Sequence, residues 1–170
     1  MTQAMVGLSL LMVAMLSAPP NTRALDGTRT LAAAQQATLT QAQPEARIEI
    51  PPEKLTSPPA LIEVPISSIK NPAQTPFSIF VYLTWRGTPP DLIAPQKILL
   101  GTFSVFPADR PGTYVVRASE GFRRLEAVGV NPTREPMAVI LEMRRVSEEK
   151  AWTAIEVTVA PLRCRGTFKE

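Results

Sequence analysis

Nucleophilic and metal chemistry in proteins leans heavily on histidine, and this 170-residue chain has none. Without it there is no Ser-His-Asp triad, no Cys-His pair and no imidazole-ligated metal. The single cysteine, Cys164, cannot form an internal disulfide, a zinc knuckle or an iron–sulfur cluster. It stands between Arg163 and Arg165, whose charges would lower the thiol pKa if the group were exposed. Ser67-Ser68-Ile69-Lys70 matches the S-x-x-K pattern of serine acylases. The companion S-D-N and K-T-G motifs are missing, and Pro65 and Pro72 oppose the helix that such a serine needs. Asn131-Pro132-Thr133 has proline at the position that disqualifies a glycosylation acceptor. The carboxylates Asp91, Asp109 and Glu148-Glu149 fall in predicted loops, with no spacing that pairs them for glycoside chemistry. No catalytic residue, metal ligand or cofactor is assigned from these residues.

The charge balance is mild. Eighteen Lys and Arg face 15 Asp and Glu, for a net charge of +3. Basic residues come as Arg123-Arg124, Arg144-Arg145 and Arg163/Arg165. Arginine suits bidentate contacts with protein carboxylates better than lysine does. A nucleic-acid groove would interleave aromatics with these charges. Here the aromatics sit in strand-like runs instead, so nucleic acid is not an expected partner. The pairs read as solvated faces or as contacts for a protein.

These residues must be carried by a scaffold, and its pattern is mostly β. Residues 1–24 include the uncharged run Ala4 to Ala18, ended by Pro19-Pro20. A spanning helix needs about 20 apolar residues, so the run suits the core of a signal peptide, with a retained membrane anchor as the alternative. Cleavage would fall after Ala18 or Ala24. Residues 25–45 are rich in Ala, Gln and Thr and read as a flexible linker. Residues 46–163 read as the folded domain, and 164–170 as a basic tail. Ile48–Ile50 and Leu61–Ile66, flanked by prolines, are predicted edge strands. Phe77 to Trp85 (FSIFVYLTW) is the most strand-like stretch, apolar on both faces, and is predicted central. Lys97–Phe106 follows, with Gly101 marking a bulge or close contact. Thr113–Ala118 is a strand, after which Phe122, Leu125 and Val128 take helical spacing. Ser119 would cap that helix and Gly129 would end it. Met137–Val146 and Trp152–Ala160 are the last strands, joined as a hairpin through Ser147–Ala151. The fold class is therefore all-β, an antiparallel β-sandwich with one short helix.

The chain runs in order through FSIFVYL (Phe77–Leu83), TPPDLIAP (Thr88–Pro95), LGTFSVFP (Leu100–Pro107), TYVVRASEGFRRLEAVG (Thr113–Gly129) and MAVILEMRRV (Met137–Val146), a pattern of features without an invariant chemical signature. It resembles the C-terminal β-sandwich, or tail, of tyrosinases and polyphenol oxidases, the type 3 copper proteins. Those enzymes hold copper with histidines on a helical bundle, and this chain has neither. Copper binding and catalysis do not carry over. The resemblance implies the tail's role: a sandwich that lies over a copper site, shields it and places a side chain in the substrate path. It implies a non-catalytic, exported subunit acting on a separately encoded type 3 copper oxidase, with Trp85, Arg86 and Phe106 as contact candidates. The rival expectation is a periplasmic or extracellular envelope module that binds another envelope protein, touching membrane only through an uncleaved N-terminus.

Overall fold

The computed structural model describes residues 26–30, 35–51, 55, 57–85, 97–146 and 154–167. Ala4 to Ala18, Arg86, Asp91 and Ser147 to Thr153 lie outside the described residues. The described strands are β1 (Asp26–Thr30), β2 (Ala37–Thr40), β3 (Glu45–Ile50), β4 (Leu61–Lys70), β5 (Phe77–Trp85), β6 (Lys97–Ser104) and β7 (Gly112–Arg117). Helix α1 (Ser119–Ala127) follows, then β8 (Met137–Arg145), β9 (Glu156–Val159) and β10 (Arg163–Thr167).

One sheet runs β3-β8-β5-β6, and the other runs β1-β10-β4-β9-β2 with β7 also on β4. Every pairing is antiparallel. The second sheet is simpler than its strand count suggests. β10 pairs Leu61–Glu63 of β4 and β9 pairs Ile66–Lys70, both on the side that β7 leaves open. They are two halves of one strand, interrupted around Pro161. β1 pairs β10 and β2 pairs β9, so these too are halves of one edge strand. With each split strand taken as one, the first strand pairs the last, the second the seventh, the third the sixth and the fourth the fifth. A long antiparallel hairpin rolled on itself in this way is the jelly-roll form of the sandwich.

The inner faces follow the period-2 rule. Phe77, Ile79, Val81 and Leu83 of β5 and Met137, Val139, Leu141 and Met143 of β8 face Ile62, Val64, Val157 and Val159 across the core. Each such side chain contributes about 1.5–3 kcal/mol when fully buried. β5 is interior to its sheet, as expected, with β8 and β6 on either side. Gly101 meets both expectations: the β5–β6 register shifts beside it, and a Cβ there would stand 3.2 Å from Val116 Cγ1. Gly129, at φ +83°, ends α1. Its N–H reaches the Glu126 carbonyl and the Val130 N–H reaches that of Leu125, a Schellman closure.

Several expectations are corrected. The linker read over 25–45 contains β1 and β2, because strand pairing needs backbone donors rather than bulky side chains, and β2 is anchored by buried Leu39 with Ala37 packed against the core. The tail read over 164–170 begins inside β10, where Cys164 and Gly166 are buried between exposed Arg163 and Arg165. Leu61–Ile66 is the centre of its sheet and not an edge. Pro65 is tolerated there because it sits where the neighbour changes from β10 to β9, with the Ala160 N–H donating to its carbonyl at 2.8 Å. β8 and β9 are not a hairpin: β8 already has β3 and β5 beside it, so the chain crosses to the other sheet. Ser119 does not cap α1. Ala118 is the N-cap, and the N–H groups of Ala118 and Ser119 both donate to Ala60 O.

Candidate interaction surface

Strand direction alternates, so the connections sort to two ends. Turn 41–44, loop 71–76, loop 105–111 and the end of β8 share one of them. Their contacts tie it together: Met143 N–H to Pro44 O at 2.7 Å, Val146 N–H to Pro76 O at 3.4 Å, and Asn71 Nδ2 to Ala108 O at 3.0 Å. Asn71 is buried and fully satisfied, since it also donates to Thr75 O and accepts from Thr75 N–H, each at 3.0 Å.

This end carries an apolar ledge. Register carries β8, β5 and β6 past the pairs Phe77↔Arg145 and Ser78↔Ser104. Just beyond lie Val146, whose N–H donates to Pro76 O at 3.4 Å, and, two residues past the end of β6, Phe106. Phe106 is 92% exposed and Val146 58% exposed. Beside Val146 lies a shallow depression of about 520 Å³ lined by Gln41, Pro44, Met143, Arg144 and Arg145.

The outer face of the same sheet is closed by its own side chains. Arg144 lies 4.4 Å over the Phe80 ring and Lys97 lies 4.4 Å over Tyr82. Arg144 Nε donates to Glu142 Oε1 at 2.7 Å, and its Nη2 donates to Tyr82 Oη at 3.2 Å. Lys97 Nζ stands 3.5 Å from Glu142 Oε2. The Arg144 hydrogen bond, helped by the charges of Arg144 and Lys97, holds the Glu142 carboxyl below the usual glutamate value against the opposing effect of burial. Reciprocally, Glu142 raises Arg144. These cations are used to cover aromatic rings.

The other chemistry-bearing residues resolve into structure. Ser67 and Lys70 lie on strand β4; Ser67 Oγ donates to Thr158 O at 3.2 Å and Lys70 pairs with Glu156 at 2.9 Å. Glu120 binds both Arg123 and Arg124, and these bonds depress its pKa. Glu63, nearly buried, pairs with Arg165 at 2.6 Å. Cys164 is 3% exposed and points into the core, so flanking arginines do not make it a surface thiol. Among the described residues no group of three His, Cys, Asp or Glu could hold a metal.

The three contact candidates do not converge. Phe106 is on the ledge. Trp85 is half-buried against the core at the far end of β5, roughly 25 Å away at strand rise. Arg86 lies outside the described residues. Sequence reading missed Val146 and Pro76 as exposed apolar residues at the same end as Phe106, because only strand register brings together positions so far apart in the chain.

The molecule is thus an all-β jelly-roll sandwich, and among the described residues the most exposed large apolar side chain projects from one loop end. No protein-family model matches the chain, and no curated protein matches it.

Proposed function

We propose that this chain is a non-catalytic, exported binding module that docks on a partner protein through the loop end carrying Phe106. The observation that carries the reading is Phe106 itself: a phenylalanine 92% exposed on a loop whose base is pinned by the buried Asn71. Exposed aromatics of this kind are favoured anchors in protein interfaces, where they fill a pocket on the partner. The absence of histidine from the sequence supports a role without nucleophile–base chemistry.

The resemblance to the tyrosinase tail supports one partner class, a separately encoded type 3 copper oxidase. On that reading Phe106 is the loop-borne aromatic laid over the oxidase's substrate path, and the action is steric. An envelope protein is the alternative partner. Export rests on the apolar run Ala4 to Ala18, in a periplasmic or extracellular protein that is anchored if the run is retained. Among the described residues no helix is long and apolar enough to cross a membrane.

The test is affinity capture from native cell extract with the full chain and with Phe106→Ala. The expected result is a partner retained by the first and lost with the second. A captured type 3 copper protein whose oxidase activity falls on adding the chain supports shielding. Equal capture by both forms removes Phe106 from the interface and the reading with it.

A further inference from the structure

We infer that the open edge of β7 pairs with the same edge of a second copy of this chain, about a two-fold axis at Val115. This surface does not include Phe106. Backbone direction is the first observation. The Ala118 N–H donates to Ala60 O at 2.8 Å, which extends the β4–β7 register by one bonded position. Antiparallel neighbours alternate between bonded and non-bonded pairs. Gly112, Tyr114 and Val116 therefore bond to β4, while Thr113, Val115 and Arg117 turn their N–H and C=O groups to the other side. Pro65 agrees with this parity: it stands opposite Thr113, and its carbonyl accepts from the Ala160 N–H, on the side away from β7. Among the described residues β7 pairs with β4 alone. Thr113, Val115 and Arg117 are all exposed, Val115 at 53%.

The sheet edges are guarded unequally. Edges that stay single carry charges, bulges or breaks against pairing. β3 shows Glu45, Arg47 and Glu49 along its length. β6 begins at Lys97 and is bulged beside Gly101. The edge formed by β1 and β2 is split into strands of five and four residues. β7 has none of these devices. It holds an unbroken register with β4, lacks proline and carries one charge, Arg117. Its sequence also complements itself. In an antiparallel pairing centred on Val115, Val115 faces Val115 of the second copy, and Thr113 faces Arg117 of the second copy. Each is a bonded position, because all three residues offer a free donor and a free acceptor. A β-branched pair sits at the centre, where such pairs favour strand association. The two Arg117 residues stand about 14 Å apart along the strands, at about 3.4 Å per residue, so like charges do not meet. The contact uses the same patch on both copies and closes at two. So short a ladder buries less than the roughly 1,200 Å² of a standard interface, which makes the dimer weak and concentration-dependent.

The test is sedimentation of the full chain from about 10 µM to about 1 mM, with amide hydrogen exchange at both ends of that range. A monomer–dimer equilibrium is the expected result. The amides of Thr113, Val115 and Arg117 should exchange more slowly at the high concentration, while those of Tyr114 and Val116, already bonded to β4, should not change. Val115→Pro removes the central donor without removing a bond to β4, since proline is tolerated where the N–H faces outward. Val115→Lys keeps every backbone group but sets two like charges directly opposite, so it tests the pairing even where the proline variant melts early. Each variant should raise the dimer dissociation constant at least about tenfold. Phe106→Ala should leave it unchanged. A chain that stays monomeric throughout, or a dimer that tolerates both Val115 variants, overturns the inference. Exchange at Thr113, Val115 and Arg117 that slows with a captured partner but not with concentration also overturns it, and gives this edge to a strand of that partner.

Discussion

Phe106 and Trp85 are both large aromatics beside loops, but burial gives them opposite roles. Trp85 packs against the core and Phe106 does not touch it. Phe106→Ala should therefore leave stability within about 0.5 kcal/mol of the parent, while Trp85→Ala should cost about 2 kcal/mol or more. Urea denaturation of both variants checks the contrast. At the same scale, Glu142 makes a pH prediction. Its folded pKa is lowered, chiefly by the Arg144 hydrogen bond. Ionised Glu142 therefore contributes stability above the unfolded glutamate value, and that contribution is lost as pH falls through the depressed folded value. Glu142→Gln should flatten the acid arm of the thermal midpoint against pH below about 4.5 and lower the midpoint at pH 7. An acid arm of unchanged slope would show that the pair contributes nothing.

At the scale of elements, loops 71–76 and 105–111 are tied by the buried Asn71 and, at the surface, by Gln74 Nε2 donating to Asp109 Oδ2 at 3.3 Å. Asn71 satisfies the Thr75 N–H and the carbonyls of Thr75 and Ala108, all within the fold. Asn71→Ala leaves these buried groups without their partner and should destabilise by about 1–3 kcal/mol. The same variant should weaken partner capture, because loop 105–111 carries Phe106. Asn71→Ala that lowers stability but leaves capture intact would mean that Phe106 needs no fixed loop. Helix α1 is held differently. Its N-terminus leans on the Ala60 carbonyl and its C-terminus closes at Gly129, so its ends are set partly by tertiary contact and partly by a glycine visible in the sequence.

At the scale of the whole molecule, the first strand closes the sheet against the last. Without β1 and β2, the strand made of β9 and β10 would present an open edge, and open edges pair with other chains. A chain beginning at Gln43 should run as larger species on size exclusion than one beginning at Leu25, and it should melt earlier through loss of the Leu39 anchor. Equal elution and equal melting would show that β1 and β2 only decorate the edge.

The strands β5 and β8 were written in the alternation of FSIFVYLTW and MAVILEMRR, the bulge in Gly101, the helix in the spacing of Phe122 and Leu125, and its end in Gly129. These are local facts: a side-chain period or a backbone conformation that one residue type favours. The absence of histidine was equally plain from sequence and removed whole classes of chemistry. Tertiary structure alone decided which strands are neighbours. It placed β1 on β10, put Pro65 in the middle of a sheet, buried Cys164, and separated Trp85 from Phe106 while bringing Phe106 and Val146 to the same end of the sandwich. Alternation tells a strand which face to bury but not beside which strand to lie. That choice is made by summed burial over distant parts of the chain, and the interaction surface is built from it.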